Sequence, residues 1–191
     1  ATPTAISCSH EETFTVTINN TPLITPVTDI TVCDSLMLPL ITGSNLSGNE
    51  SYFNAPNGGG SIYTPGDYIT SSSTLFIYDQ TSTTPNCSDE TSFTININTS
   101  PTVNDLGDIT ACDSTQLPVI TGNNLVSATY YTGTGATGTS YSAGDYITSS
   151  IPTLFIYDES GTTPNCNSEE SLNITINQSP IVNNIADVVA C

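Results

Sequence analysis

Apolar and polar residues alternate with a period of two in FTVTIN (14–19), FTININ (93–98) and LNITIN (172–177). This is the pattern of a strand with one face on a core and the other in water. TLFIYD, at 74–79 and 153–158, is a compact apolar run with the same β-branched and aromatic bias. Shorter runs of this kind are SYFNA (51–55), ATYYTG (128–133), GDYIT (66–70 and 144–148), DITV (29–32), DITA (108–111) and DVVA (187–190). Clusters of Gly, Pro, Asn and Ser separate them, such as PNGGG (56–60), TGTGATG (132–138) and TTPN. No stretch carries a helical period with caps. Between Cys112 and Cys191 the pattern predicts strands near 115–120, 128–132, 139–142, 145–149, 153–158, 171–177 and 184–190. Either Leu154 and Ile156 or Phe155 and Tyr157 face the core. Many short strands split by turns predict an all-β, antiparallel β-sandwich.

The strands recur at a period of 79 residues. Cys8, Cys87 and Cys166 are 79 apart, and so are Cys33, Cys112 and Cys191. CDSLMLPLITG (33–43) parallels CDSTQLPVITG (112–122), and GDYITSS, LFIYD and TTPNC each occur twice. A fixed period marks an array in which each repeat is one structural unit. The natural frame is 1–33 as the end of a preceding repeat, then repeats 34–112 and 113–191. An alternative frame is 22–100 and 101–179. Both ends read as cut from a longer array.

The chain has no Lys and no Arg against 18 Asp and Glu, a formal charge of −18. The acids are spread over the repeats. Such a surface repels nucleic acid and anionic membrane, so neither is an expected partner. No run is long and apolar enough to insert into a bilayer. Six cysteines at fixed repeat positions predict disulfides and therefore an oxidising, extracellular compartment. Zinc fits poorly, because there is no CxxC and His10 is the one histidine.

Candidate chemistry is sparse. A Ser-His-Asp site needs a histidine beside the nucleophile. Here the repeats replace His10 by Asp89 and Ser168, so no enzyme is expected. The glycines of 57–60 and 133–138 lack the lysine of a phosphate loop and read as turns. Asp79 and Asp158, and Asp67 and Asp145, recur at equivalent turns, where Asp serves as a local acceptor. Glu90 and Glu169, each three residues after a cysteine, are weak candidates for calcium; no DxDxDG spacing accompanies them. Tyr52, Phe53, Tyr63, Tyr130, Tyr131 and Tyr141 are candidates for a polysaccharide-binding face, with core packing as the alternative. Asn19, Asn98 and Asn177 each open an N-x-Ser/Thr sequon.

The order of elements resembles a known family. A Cys precedes a Leu-Pro strand, then a Tyr-Tyr or Tyr-Phe pair, a Gly-rich loop, a Gly-Asp turn, LFIYD, TTPNC, and an alternating Thr/Ile strand ending in TP or SP. This resembles the immunoglobulin-like tandem repeats of very large cell-surface proteins of flavobacteria (Bacteroidota). The resemblance implies export by type IX secretion and a role like that of gliding-motility adhesins. It implies a segment of an elongated extracellular fibre or adhesin stalk. The partners would be neighbouring repeats of the same chain and parallel copies of the fibre. It also implies O-glycosylation at Ser35 and Ser114, in Asp-Ser-Leu and Asp-Ser-Thr.

Three disulfide patterns stay open. Cys8–Cys33, Cys87–Cys112 and Cys166–Cys191 would close a hairpin of two strands, an even number that returns the chain to one end. Cys33–Cys87 and Cys112–Cys166 would close a single repeat, but about five strands intervene, and the odd number puts the cysteines at opposite ends. In arrays of the resembled kind TP and SP mark domain junctions, and in that frame Cys33–Cys166, across neighbouring repeats, becomes the third pattern.

Overall fold

A computed structural model describes residues 8–184 together with 187, 189 and 191. The chain divides into two compact units. One comprises Ala1–Thr28, Leu38–Asp67 and Thr74–Phe93, and the other Asp29–Met37, Tyr68–Ser73 and Thr94–Cys191. Among the described residues there is no helix, and so none long and apolar enough to cross a membrane. The fold class is all-β.

The first copy of the repeat contains β1 (Leu23–Ile24), β2 (Ile30–Cys33), β3 (Leu36–Met37), β4 (Gly43–Ser44), β5 (Ser51–Ala55), β6 (Gly59–Tyr63), β7 (Tyr68–Ile69), β8 (Ser73–Gln80) and β9 (Ser88–Asn98). The second contains β10 (Thr102–Val103), β11 (Ile109–Cys112), β12 (Thr115–Gln116), β13 (Gly122–Asn123), β14 (Thr129–Gly133), β15 (Thr137–Tyr141), β16 (Tyr146–Ile147), β17 (Ile151–Glu159) and β18 (Asn167–Asn177). Topology repeats with the sequence. A five-stranded sheet in the order β2-β9-β8-β5-β6 is accompanied by the pairs β1-β4 and β3-β7. Its counterpart is β11-β18-β17-β14-β15, with β10-β13 and β12-β16. Every sheet draws its strands from within 23–98 or from within 102–177.

Burial follows the period of two. In β17 the buried side chains are Leu154, Ile156 and Asp158, while Phe155 and Tyr157 are half-buried. The second core joins Leu154 and Ile156 to Leu172, Ile174 and Ile176 of β18, Tyr130 of β14, and Val103, Leu117 and Ile147 from around the short pairs. In the first copy Leu75, Ile77, Phe93, Ile95, Tyr52, Ile24, Leu38 and Ile69 are likewise buried. Tyr52 and Tyr130 are fully buried, and each hydroxyl donates to a proline carbonyl, Pro39 (2.9 Å) and Pro118 (3.0 Å).

Two features differ from the sequence expectation. First, FTVTIN (14–19) forms no strand, and Phe14, Val16 and Ile18 are exposed. Its counterparts in β9 and β18 are held between an LFIYD strand on one side and β2 or β11 on the other. Among the described residues no strand lies beside 14–18, so their apolar side chains stay in solvent. Second, pairing is not wholly antiparallel. β2 runs parallel to β9 with Cys33 opposite Asn98, and β11 runs parallel to β18 with Cys112 opposite Asn177. The strand expected at 184–190 falls largely outside the described residues.

Candidate functional site

The parallel register carries Cys33 to the far end of β9. The Asp29 carboxylate accepts from Thr94 N (2.7 Å) and anchors the chain just before β2. Beyond its end, Asp34 N donates to Asn98 O (2.8 Å), and Ser35 N turns back to Cys33 O (2.6 Å). Asp34 takes the left-handed conformation this tight turn needs, with φ 60°. Its carboxylate accepts from Ser100 N (2.8 Å) and Ser100 Oγ (2.6 Å). These bonds, the hydroxyl's first and the backbone amide's second, hold the Asp34 carboxyl below its ordinary value of 3.8. Cys33 is thus positioned by carboxylates on both sides of its strand.

The facing half is the loop between β17 and β18. Ser160 N donates to Cys166 O (2.7 Å), and Cys166 N donates back to Ser160 Oγ (3.0 Å), which ties the loop into a ring. Inside it Gly161 N donates to Asn165 Oδ1 (2.9 Å), Thr162 Oγ1 donates to Pro164 O (2.8 Å), and the Thr163–Pro164 peptide is cis. Asn98 Nδ2 reaches across to Thr163 O (3.3 Å) and Pro164 O (3.2 Å). Cys166 is buried with its sulfur 3.8 Å from Asn98 O. Cys33 and Cys166, 133 residues apart, form a disulfide with a Cα–Cα distance of 5.7 Å, inside the span such a bond requires. All these residues belong to one compact unit.

The bond therefore follows the third of the three patterns. Among the described residues Cys8, Cys87, Cys112 and Cys191 are free. The physical reason lies in the strands. Cys87 precedes β9 while Cys33 lies at its other end, roughly 36 Å away along an 11-residue strand. A Cys33–Cys87 bond is out of reach, and β18 separates Cys112 from Cys166 in the same way. The 25-residue pattern needs each DIT strand to fold back as a hairpin on the alternating strand before it. Instead β11 pairs with β18, the alternating strand that follows it.

Half of the same arrangement is present twice more. Asn19 Nδ2 donates to Pro85 O (3.0 Å), and the Cys87 thiol lies 3.9 Å from Asn19 O. Thr81 and Cys87 close the ring that Ser160 and Cys166 close in the second copy, around a cis Thr84–Pro85 peptide. Cys112 likewise occupies the Cys33 position: Asp113 N donates to Asn177 O (2.9 Å), Asp113 has φ 63°, and its carboxylate accepts from Ser179 N (2.8 Å) and Oγ (2.6 Å). The Ser179 hydroxyl, then its amide, lowers the Asp113 carboxyl below 3.8.

The remaining candidates have local roles. Asp79 and Asp158 are buried; Asp158 accepts from Val126 N and Ser127 N (2.8 Å each), and Asp79 from Ser47 N (2.8 Å) and the Ser47 hydroxyl. Asp67 and Asp145 accept from Thr64 N and Ser142 N (2.7 Å each) in their turns. Glu90 accepts from Asn57 N and Glu169 from Gly135 N, so each caps a Gly-rich turn. Among the described residues no group of three or more acidic, His or Cys side chains is placed to hold a metal. His10 is exposed and bonds Glu12 (3.1 Å). Ser35 and Ser114 are half-buried beside the cysteine turns. Of the aromatic candidates, Tyr52 and Tyr130 are in the cores, and Phe53, Tyr63, Tyr131 and Tyr141 are half-buried. Phe53 meets Tyr78, and Tyr131 meets Tyr157, edge to face at 84° and 85°.

The sequence reading missed the Asp34–Ser100 and Asp113–Ser179 clasps, although both partners recur at the period. Asn98, which opens a sequon, also engages the cysteine loop through its amide.

No protein-family model matches the chain, and no curated protein matches it. Solved structures similar to it include titin domains Z1Z2 in complex with telethonin (11% identity, 86% of this chain and 100% of that chain, TM-score 0.31). Mouse cadherin-23 EC22–24 is another (15% identity, 84% of this chain, 65% of that chain, TM-score 0.31), as are the N-terminal four Ig domains of Dscam1 isoform 1.9 (12%, 82% and 46%, TM-score 0.28). At these scores no family or activity carries over.

Proposed function

We propose that the chain is a structural segment of a long extracellular fibre or adhesin stalk, made of disulfide-stapled, immunoglobulin-like β-sandwich repeats. The observation that carries this reading is the Cys33–Cys166 bond, which joins corresponding parts of two copies of the sequence repeat, 133 residues apart, inside one compact unit. A covalent tie of this kind suits a load-bearing role, because tension entering at Cys33 passes through the bond to Cys166 and bypasses the intervening backbone. The repeat of one topology in two copies supports it. This reading takes 22–100 and 101–179 as the repeat frame; strand pairing within 23–98 and within 102–177 supports it, while the compact units cut across it.

The uniform negative charge keeps neighbouring fibres apart. An oxidising, extracellular location is what a stable disulfide requires. No catalytic role is proposed. The resemblance of the repeat to flavobacterial surface proteins extends the reading to type IX export and gliding-motility adhesins, with O-linked sugar at Ser35 and Ser114. A polysaccharide-binding role gains little from Phe53 and Tyr131, because their edge-to-face pairs with Tyr78 and Tyr157 make no flat platform.

Small-angle scattering of the oxidised chain tests the stalk reading. An extended particle is expected; a compact two-domain particle would overturn it.

A further inference from the structure

We propose that Cys87 and Cys112 are the two unfilled halves of the Cys33–Cys166 bond, each built to receive a cysteine of another repeat, so that an array of these repeats carries two interleaved covalent tracks. The inference rests on the stalk reading for its context, but its chemistry is set by the observed bond. That bond joins the cysteine ending a DIT strand to the TTPNC cysteine 133 residues later. The cysteines repeat at 79 residues, so a bond of the same kind from Cys112 ends on a TTPNC cysteine beyond Cys191. A bond of the same kind to Cys87 begins on a DIT cysteine before Ala1.

The geometry of both halves is in place. At Cys87 the closed loop, the Asn19 amide on Pro85 O and the sulfur beside Asn19 O reproduce the surroundings of Cys166. No strand among the described residues pairs with 14–19 in the way that β2, ending in Cys33, pairs with β9. At Cys112 the strand register with Asn177 and the Asp113–Ser179 clasp reproduce the surroundings of Cys33. Cys112 is exposed where Cys33 is covered by its partner. The two thiols close their bonds by oxidation, each losing a proton and together two electrons to a disulfide such as oxidised glutathione, which is reduced to two thiols.

Cys112 lies inside the loop closed by Cys33 and Cys166, so successive bonds overlap. Tension leaving one bond at a TTPNC cysteine travels only the short stretch to the next DIT cysteine, as from Cys166 to Cys191, before entering the next bond. Of the second core, β18 with Leu172, Ile174 and Ile176 lies on the loaded stretch, and β10 to β17 lie off it.

The test uses the full chain lengthened at its C-terminus by one further period, a second copy of residues 113–191. The protein is oxidised with glutathione, cleaved at acidic residues and mapped by mass spectrometry without reduction. The expected result is the Cys33–Cys166 bond together with a new bond from Cys112 to the cysteine 133 residues downstream. Changing Cys112→Ser in that chain should free the downstream cysteine and leave Cys33–Cys166 intact. A free Cys112, a Cys112 bond to Cys87 or Cys166, or loss of Cys33–Cys166 on lengthening the chain would each overturn the proposal. If the bonds form as stated but scattering gives a compact particle, the stalk reading fails and the pairing rule stands.

Discussion

Asp34 and Asp113 do the same work at two points of the chain, turning the backbone after a cysteine and fastening the next segment through one serine. Because both carboxyls are lowered from 3.8 in the folded chain, their contribution is present above the ordinary Asp value and is lost as pH falls through the depressed folded value. An NMR titration should find both below 3.8, and Ser100→Ala should return Asp34 toward it; an unchanged Asp34 would remove the clasp from the account. Asp158 is the more costly residue to lose, since Asp158→Ala orphans the Val126 and Ser127 amides in a buried place. A loss of about 3 kcal/mol in denaturant unfolding is expected. Burial pushes the Tyr130 hydroxyl up to about 12. The unfolded chain therefore ionises this tyrosine first as pH rises past 10, and stability drains away between the two values. An absorbance titration should find Tyr130 among the last tyrosines to ionise.

Strands depend on their neighbours more than on their own pattern. FTVTIN and FTININ are almost the same sequence, yet only the second is a strand: it lies between β8 and β2, and among the described residues no strand lies beside 14–19. Hydrogen exchange should reflect this: amides of 14–19 should exchange near the unfolded rate while those of 93–97 are protected. Equal protection would contradict the account. A close backbone approach limits β10-β13, where a Cβ on Gly122 would sit 1.9 Å from Thr102 O; Gly122→Ala should cost about 2 kcal/mol through this overlap. The alternation at period two made most strands, the all-β class and the turn roles of Asp67 and Asp145 legible in the sequence. Which face of LFIYD is buried was not legible, because Leu, Phe, Ile and Tyr all suit a core. The parallel placement of β2 and β11 was hidden for another reason. The DIT strands are short and close in sequence to the alternating strand before them, so a hairpin looked natural. Their actual partner is the later strand, which Asp29 and Asp108 reach from 65 residues earlier. With that partner misplaced, the cysteine pairing could be narrowed by disulfide reach but not chosen.

At the scale of the whole molecule, one bond closes a loop of 133 residues. In the chain-entropy model a loop of that length stabilises the folded state by up to about 5 kcal/mol, so Cys33→Ser should lower the unfolding midpoint of the unit that contains it. The central claim is mechanical: the bond takes tension off the residues between Cys33 and Cys166. Single-molecule stretching of the chain from its two termini, before and after reduction, tests this directly. The account predicts that the fully unfolded contour is about 450 Å shorter in the oxidised chain than in the reduced one, the length of 133 extended residues. Equal contours in the two states would contradict it.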